Sequence, residues 1–214
     1  MTRGVPLRQA ARDFSHHPSP RMLAVALLVS VVARALAGPL GLGDLLVLLG
    51  LTVVFPFVEW IVHVVVLHWR PRRLAGMTID PLLARKHRAH HLDPRDEALI
   101  FIPIQSLVGA AVSATAAALW LFPRPSVGLT FLALTFGIGL LYEWTHYLVH
   151  TDYTPRAAAY RFIWRNHRRH HFKNEHYWFA VTTPGTADRC LGTYPDPDAV
   201  TTSPTARNLH ALSR

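Results

Sequence analysis

The sequence Y-E-W-T-H-Y-L-V-H at residues 142–150 is followed, after a basic connector, by N-H-R-R-H-H-F-K-N-E-H-Y-W at 166–178. Side chains three and four residues apart share one face of an α-helix. Two sets of histidines have this spacing: His146 and His150, and His167, His170 and His171. Neutral imidazole is the commonest protein ligand for a transition metal. The spacing therefore predicts that both sets are metal ligands.

The same pattern occurs earlier in the chain, so there are four histidine boxes in two matching halves. The earlier boxes contain His63 and His68, then His87, His90 and His91. Ten ligands exceed the need of one metal, which predicts two metals sharing a site. His63 and His68 are five residues apart and do not share a face of an α-helix. Either a π-helical turn realigns them, or the helix ends between them.

An all-histidine set suits iron, whose open coordination positions can bind O₂. Zinc would also occupy such a site in a purified sample. With a single cysteine, Cys190, the chain has neither an internal disulfide nor a cysteine-based zinc site. Glu59 and Glu143 precede His63 and His146 by one helical turn, so we expect each carboxylate to accept a hydrogen bond from a ligating imidazole.

The remaining four histidines lie outside the boxes. We expect His16, His17 and His210 to be ordinary surface or core residues. His176 follows the fourth box by five residues and is a candidate either to support a ligand or to line a substrate pocket.

Apolar and basic residues are segregated along the chain, which predicts an all-α integral membrane protein. Half of the 214 residues are hydrophobic, yet the net charge is +9. About 20 apolar residues span a bilayer. The apolar runs predict four transmembrane helices in two hairpins, at 22–42, 45–58, 100–122 and 127–142. Residues 70–97 are expected to be a polar loop that carries the second box.

The domain prediction is a cytosolic segment at 1–21, a membrane domain at 22–192 and a loose, Pro-, Thr- and Asp-rich tail at 193–214. Ala35-Leu36-Ala37 resembles a signal-peptide cleavage site, but the lone cysteine argues for a transmembrane span instead.

The distribution of basic residues predicts the orientation in the membrane. Of the 22 lysine and arginine residues, only Arg34 and Arg124 lie outside the end segments and the central loop. By the positive-inside rule, both termini and the histidine-rich cap are cytosolic. No nucleic-acid-binding motif accompanies the positive charge, so a membrane surface, not nucleic acid, is the expected partner.

The boxes resemble those of the membrane-bound fatty acid hydroxylase and sterol desaturase superfamily. The matching motifs are H-V-V-V-L-H at 63–68, H-R-A-H-H at 87–91, H-Y-L-V-H at 146–150 and H-R-R-H-H at 167–171. The four-residue gap in the first box resembles the first box of the fatty acid 2-hydroxylase branch. Three further motifs resemble that branch: H-H-L-D-P-R-D at 90–96, which ends at Asp96; Y-E-W-T-H-Y at 142–147; and H-Y-W-F-A-V-T-T at 176–183.

This resemblance implies a di-iron monooxygenase that uses O₂ and two electrons to hydroxylate an unactivated C–H bond of a lipid in the bilayer. It implies 2-hydroxylation of a fatty acyl chain. Asp96 is expected to support the ligands. Tyr147, Tyr177 and Trp178 are expected on the substrate path, although an aromatic belt at the membrane interface is the alternative for such residues.

Related eukaryotic enzymes often carry a fused cytochrome b5 domain, for which residues 1–21 are too short. Electrons are therefore expected from a separate cytochrome b5-like protein, or from a ferredoxin with its reductase.

Two other functions fit the sequence. The same scaffold would serve a carotenoid or sterol hydroxylase, or a desaturase. A non-enzymatic membrane metal-binding protein is the third possibility, but a transport path should place its ligands in mid-membrane rather than at one face.

Overall fold

The computed structural model describes residues 4–210, and this part of the chain is mostly helical. The α-helices are α1 (Leu7–His16), α2 (Pro18–Leu36), α3 (Leu42–Ile61), α4 (Leu82–Leu92), α5 (Glu97–Ile100), α6 (Ile104–Leu121), α7 (Pro125–His150), α8 (Ala158–Phe172) and α9 (Thr186–Cys190). A π-helix at Val62–Leu67 continues α3, and a 3₁₀ turn lies at Pro197–Ala199. Strands β1 (Arg72–Leu74) and β2 (Met77–Ile79) form one antiparallel hairpin.

Four helical segments are long and apolar enough to cross a membrane: Pro18–Leu36, Leu42–Leu67, Glu97–Leu121 and Pro125–His150. Many of their large apolar side chains are exposed, such as Leu28, Val53 and Leu119. Exposed apolar surface of this extent indicates lipid contact, not contact with water. The predicted all-α membrane fold is confirmed, and the four spans support a multi-pass membrane protein.

The helix ends differ from the predicted spans by several residues. The first span, α2, begins at Pro18, where the backbone N–H of Ser19 bonds to the side chain of His17. It ends at Leu36 rather than at residue 42, because Gly38 takes a positive φ of 103° and Pro39 follows it.

The chain forms two compact units. The unit that we call the histidine unit comprises Met1–Ala10, Pro56–Phe101 and Thr145–Arg214. The other, which we call the membrane unit, comprises Ala11–Phe55 and Ile102–Trp144. Every box histidine belongs to the histidine unit.

An ion pair within the membrane unit explains how Arg34 is accommodated at the end of an apolar helix. Its Nη2 lies 2.7 Å from Oδ2 of Asp44, and its Nε lies 2.9 Å from Oδ1. The guanidinium also donates to the carbonyl oxygens of Gly38 and Pro39, and Thr130 donates to Asp44. Both charges are buried and have several hydrogen-bond partners, which is the condition under which a buried ion pair is tolerated. The core of this unit is formed by Leu23, Leu107 and Phe136.

A π-helical turn aligns His63 with His68. The N–H of His68 donates to the carbonyl oxygen of His63 at 3.1 Å, which is the five-residue bond of a π-helix. The two imidazole rings are 5.2 Å apart. Of the two alternatives that the spacing allowed, the π-helical turn is the one observed.

Residues 70–97 are not the predicted loop. They contain the β1–β2 hairpin and α4, which carries His87, His90 and His91. Arg88 joins the two parts, because its guanidinium bonds to Asp80 and to the carbonyl oxygen of Trp69. The abundant arginines made this stretch look like a loop, although its histidine spacing was already helical.

The segment at 193–210 is not a loose tail, and residues 211–214 of the predicted tail lie outside the described part of the chain. Ala206 and Leu209 are buried. The N–H of Ser203 donates to the carbonyl oxygen of Lys173 at 2.7 Å. A polar composition concealed these few anchoring residues, so the segment belongs structurally to the histidine unit.

Candidate metal centre

Nine of the ten box histidines form two compact groups. Within each group, the ligand nitrogens all lie within 4.8 Å of one another. The first group consists of His90, His146, His150, His167 and His171. The second group consists of His63, His68, His87 and His170. His91 belongs to neither group, but its Nε2 lies 3.2 Å from Nε2 of His87. Each half of the sequence contributes to both groups, so the two halves converge on one centre.

The distances between imidazole nitrogens fit metal coordination. Two nitrogens at about 2.1 Å from one ion are separated by about 3.0–3.4 Å in octahedral or tetrahedral geometry. In the first group, Nε2 of His90 lies 3.2 Å from Nε2 of His150, and the Nε2 atoms of His167 and His171 are 3.1 Å apart. In the second group, the Nε2 atoms of His68 and His170 are also 3.1 Å apart.

Several buried ring nitrogens have no hydrogen-bond partner in the protein. They are Nε2 of His63 and Nδ1 of His90, His167 and His171. Burying an unsatisfied polar atom is costly. A bound ion would take up Nε2 of His63, because Nδ1 of the same ring already donates to a carbonyl oxygen. In the rings of His90, His167 and His171 the nitrogen that faces the other histidines is Nε2, so the ion would bind there and not at Nδ1. The unsatisfied His63 Nε2 and the facing Nε2 atoms fit a metal centre.

Backbone carbonyl oxygens orient four of the imidazoles. Each carbonyl oxygen accepts a hydrogen bond from Nδ1 of one histidine, and Nε2 of that ring is then the nitrogen that can bind a metal. The pairs are His63 with Phe179 at 2.6 Å, His91 with Ala206 at 2.7 Å, His146 with Ile100 at 2.9 Å and His170 with Tyr177 at 2.8 Å.

The prediction that Glu59 and Glu143 accept hydrogen bonds from ligating imidazoles is wrong. Glu59 is buried and accepts from the N–H groups of Val181 and Thr182 at 3.1 and 2.8 Å, and from the hydroxyls of Thr182 and Thr183. Glu143 accepts from the hydroxyl of Ser19 and from the N–H of Ile102. Each carboxylate is taken up by backbone and hydroxyl donors, while the imidazoles bond to carbonyl oxygens.

Asp96 and His176 do not support a ligand directly either. Asp96 is exposed and caps α5, since its side chain accepts from the N–H of Ala98 at 3.0 Å. The side chain of His176 is 72% exposed and lies 3.6 Å from Glu175.

The aromatic residues assigned to the substrate path have structural contacts in the histidine unit. Tyr147 is buried and stacks on Phe101, with ring centroids 5.3 Å apart. Trp178 is fully buried, and its backbone N–H donates to the carbonyl oxygen of Thr193. Tyr177 supplies the carbonyl oxygen that orients His170. Burial removes Tyr147 and Trp178 from an exposed interfacial belt, and substrate contact by all three residues stays a prediction.

His68 is the least buried of the ten box histidines and lines an open pocket of about 360 Å³. Arg70, Glu175, His176, Phe179 and His210 also line this pocket. His210, which we expected to be an ordinary residue, bonds through its ring to the carbonyl oxygen of His68 at 3.0 Å. The second group is therefore accessible from outside the protein through this pocket.

Burial keeps the imidazoles outside the spans neutral. Loss of solvation, and then the neighbouring imidazoles, hold the pKa values of the following residues well below the usual value of 6.5: His68, His87, His90, His167, His170 and His171. Burial lowers the pKa of His91 to about 4. Neutral imidazole is the form that binds a metal.

Sequence reasoning missed two buried carboxylates in this unit, Asp188 and Glu175. Asp188 accepts from the N–H groups of Phe179 and Ala180 at 3.0 and 2.9 Å. Glu175 accepts from the hydroxyls of Ser203 and Thr205, close in sequence to the carbonyl that orients His91. Glu175 follows the fourth box closely, which was its only sequence signal, whereas Asp188 lies well beyond the box and had none.

The sequence model of the family described as fatty acid hydroxylase matches residues 45–193. The matched range includes all ten box histidines, Glu59, Glu143 and Asp188. Comparison with curated proteins gave no match, and comparison with solved structures gave none either.

Proposed function

Because this chain belongs to the fatty acid hydroxylase family, we propose that it is a membrane di-iron monooxygenase that hydroxylates a fatty acyl chain at the carbon next to the carboxyl group. The observation that carries this proposal is the pair of buried histidine groups, each able to hold one ion. The assignment to carbon 2 draws its support from the box spacing and from the H-H-L-D-P-R-D motif.

The two ions, when bound, supply O₂ activation and removal of a hydrogen atom from the substrate. The protein holds the imidazoles neutral by burial and fixes their ring orientation through carbonyl oxygens. A neutral imidazole can bind a metal without first losing a proton, which favours metal binding at neutral pH. The protein's contribution is therefore orientation and control of solvent.

Three ligands belong to the carboxyl ends of two candidate spans. His63 lies in the span Leu42–Leu67, and His146 and His150 lie in the span Pro125–His150. This arrangement supports a substrate that is itself in the bilayer, since an acyl chain can approach the centre laterally from lipid.

We propose that electrons come from a separate protein of the cytochrome b5 or ferredoxin type. The β1–β2 hairpin and the start of α4 expose Arg72, Arg73, Arg85 and Lys86. Their charge suits an acidic docking face on the donor, because complementary charges accelerate encounter.

Lipid mass spectrometry of a purified reaction tests this function. The protein in nanodiscs is loaded with Fe²⁺, supplied with a reductase system and ¹⁸O₂, and given an acyl lipid. We expect one ¹⁸O atom at carbon 2 of the acyl chain, and none with His146→Ala.

Other outcomes of this reaction distinguish the alternatives. A hydroxyl group at another acyl position would overturn the assignment to carbon 2 alone. Oxygen incorporated only into an added carotenoid or sterol would replace the substrate class. Metal binding without O₂ consumption for any lipid would show that the chain is not an oxygenase.

A further inference from the structure

Three consecutive residues of the histidine unit orient two ligands of the second group. Nδ1 of His170 donates to the carbonyl oxygen of Tyr177, and Nδ1 of His63 donates to that of Phe179. Trp178 lies between them with a φ of 56°, in the left-handed region that residues other than glycine seldom adopt. Such a conformation persists only where surrounding contacts hold it.

Two buried carboxylates supply those contacts. Asp188 uses both oxygens, accepting the N–H of Phe179 at Oδ1 and the N–H of Ala180 at Oδ2. Glu59 then accepts the next two N–H groups, those of Val181 and Thr182, at Oε1. The four consecutive amides from 179 to 182 thus all donate to carboxylates that are buried inside the protein.

Glu59 and His63 lie one helical turn apart at the end of α3 and bond to the same short stretch of chain. Glu59 accepts donors at 181–183, and His63 donates to the acceptor at 179. The position of the stretch along the helix is therefore fixed at two points. Glu143 and His146 repeat this pairing on α7: Glu143 accepts the N–H of Ile102, and His146 donates to the carbonyl oxygen of Ile100.

We propose that Glu59 and Asp188 are positioning residues for the second metal site: they hold residues 177–183 so that the carbonyl oxygens of Tyr177 and Phe179 turn Nε2 of His170 and His63 toward the ion. The inference rests on the proposed metal centre, but not on its substrate or on the position of hydroxylation. Residues that orient ligands in this way typically change metal affinity by about 10–100-fold when removed.

Titration of metal-free protein in nanodiscs with Co²⁺, in competition with a chelator, measures each ion separately. The wild type should bind two ions. In a His150→Ala background, the ion that remains belongs to the second group, and Glu59→Ala should weaken it by about 10–100-fold. In a His87→Ala background, the ion that remains belongs to the first group, and Glu59→Ala should leave its affinity unchanged.

Two conservative variants separate hydrogen-bonded positioning from charge. Glu59→Gln keeps an oxygen that accepts from the N–H groups of Val181 and Thr182. Its new NH₂ group can donate to the Thr183 hydroxyl, which donates to Glu59 in the wild type. The Co²⁺ affinity of the second group should therefore stay within about threefold of wild type. Asp188→Asn cannot accept N–H groups on both sides, and should weaken the second ion by about 10–100-fold. Asp96→Ala, which removes an exposed carboxylate, is the matched control.

Each alternative result leads to a definite conclusion. Equal defects in Glu59→Gln and Glu59→Ala would mean that charge matters rather than positioning, and would overturn the inference. So would an Asp188→Asn variant with wild-type affinity, or a Glu59→Ala variant that loses both ions equally. A wild-type protein that binds no Co²⁺ would instead refute the metal centre on which the proposed function depends.

Discussion

Six buried box histidines lie outside the spans, and burial lowers their pKa values: His87, His90, His91, His167, His170 and His171. In the unfolded chain the same residues would titrate near their usual pKa of about 6.5. The folded metal-free protein therefore binds fewer protons than the unfolded chain at mildly acidic pH. This difference links stability to pH through individual residues.

Stability of the metal-free protein should fall as the pH is lowered from 6.5 toward 4. Above 6.5 both states are neutral at these positions, so the contribution is fully present there. Below 6.5 the unfolded chain gains protons that the folded protein cannot accept until its lowered pKa values are reached, about 4 for His91. Thermal unfolding in nanodiscs at several pH values measures this effect, and a midpoint that does not change between pH 7.5 and 5 would contradict it.

Loss of one ligand from the first group should remove one ion. We expect His150→Ala to retain about half of the metal and to lower hydroxylation by more than about 100-fold, beyond the loss typical of residues that only orient a ligand. Elemental analysis and product quantification measure the two effects. His16→Ala is the control, because His16 is exposed and bonds within α1 to the carbonyl oxygen of Arg12. Full metal content in His150→Ala would show that His150 is not a ligand.

At the scale of elements, the segment after the 3₁₀ turn is part of the site. Its Ala206 carbonyl orients His91, and its His210 ring bonds to the backbone of His68. It thus contacts His68 of the second group and His91, which belongs to neither group, although it carries no box motif.

Truncation after Thr202 should therefore weaken metal binding. Removing the Ala206 carbonyl frees the His91 ring and leaves Glu175 without the hydroxyls of Ser203 and Thr205. We expect about a 10-fold loss of Co²⁺ affinity and a lower unfolding temperature. A truncation that keeps the chain through His210 is the control. Unchanged affinity in the longer deletion would show that the segment only covers the site.

The exposed basic residues of the β1–β2 hairpin should determine the rate of electron delivery. The double variant Arg72→Glu/Arg73→Glu should raise the KM for an acidic donor by about 10-fold, while kcat stays unchanged. The increase in KM should be larger at low ionic strength, where charges are less screened. Arg124→Glu, in the connection between α6 and α7, is the control. Equal KM values for the hairpin variant and the wild type would place donor docking elsewhere.

Sequence pattern predicted the apolar helices and the clustering of the box histidines well, because both depend on local spacing. It predicted the groups that orient the ligands poorly. Glu59 and His63 are neighbours on one helix, yet they bond to a stretch of chain more than 100 residues away. Which donor meets which acceptor there is decided by tertiary packing, and the unusual φ of Trp178 has no sequence signature. The helical character of α4 was hidden by its charges, and the order of 203–210 depends on two buried apolar residues.

At the scale of the whole molecule, the chain separates into a unit rich in exposed apolar residues and a unit that holds the histidines. The positive-inside rule predicts that the histidine unit and both termini face the cytosol. The single cysteine, Cys190, is exposed in the histidine unit and can report this orientation.

A membrane-impermeant maleimide should label Cys190 only after the cytoplasmic membrane is permeabilised. The matched variant is Cys190→Ser/Gly41→Cys, which moves the thiol to an exposed position between α2 and α3, where an added Cβ has open space. It should be labelled in intact cells. The opposite pattern for the two thiols would invert the predicted topology.

The unsatisfied Nε2 of His63 also affects how much of the protein accumulates in a cell. A chain without its ions leaves this buried atom unpaired, and any ligand that binds only the folded form shifts the folding equilibrium toward that form. Iron starvation would then shorten the lifetime of the polypeptide itself, so that nutrient supply sets the abundance of the enzyme as well as its turnover.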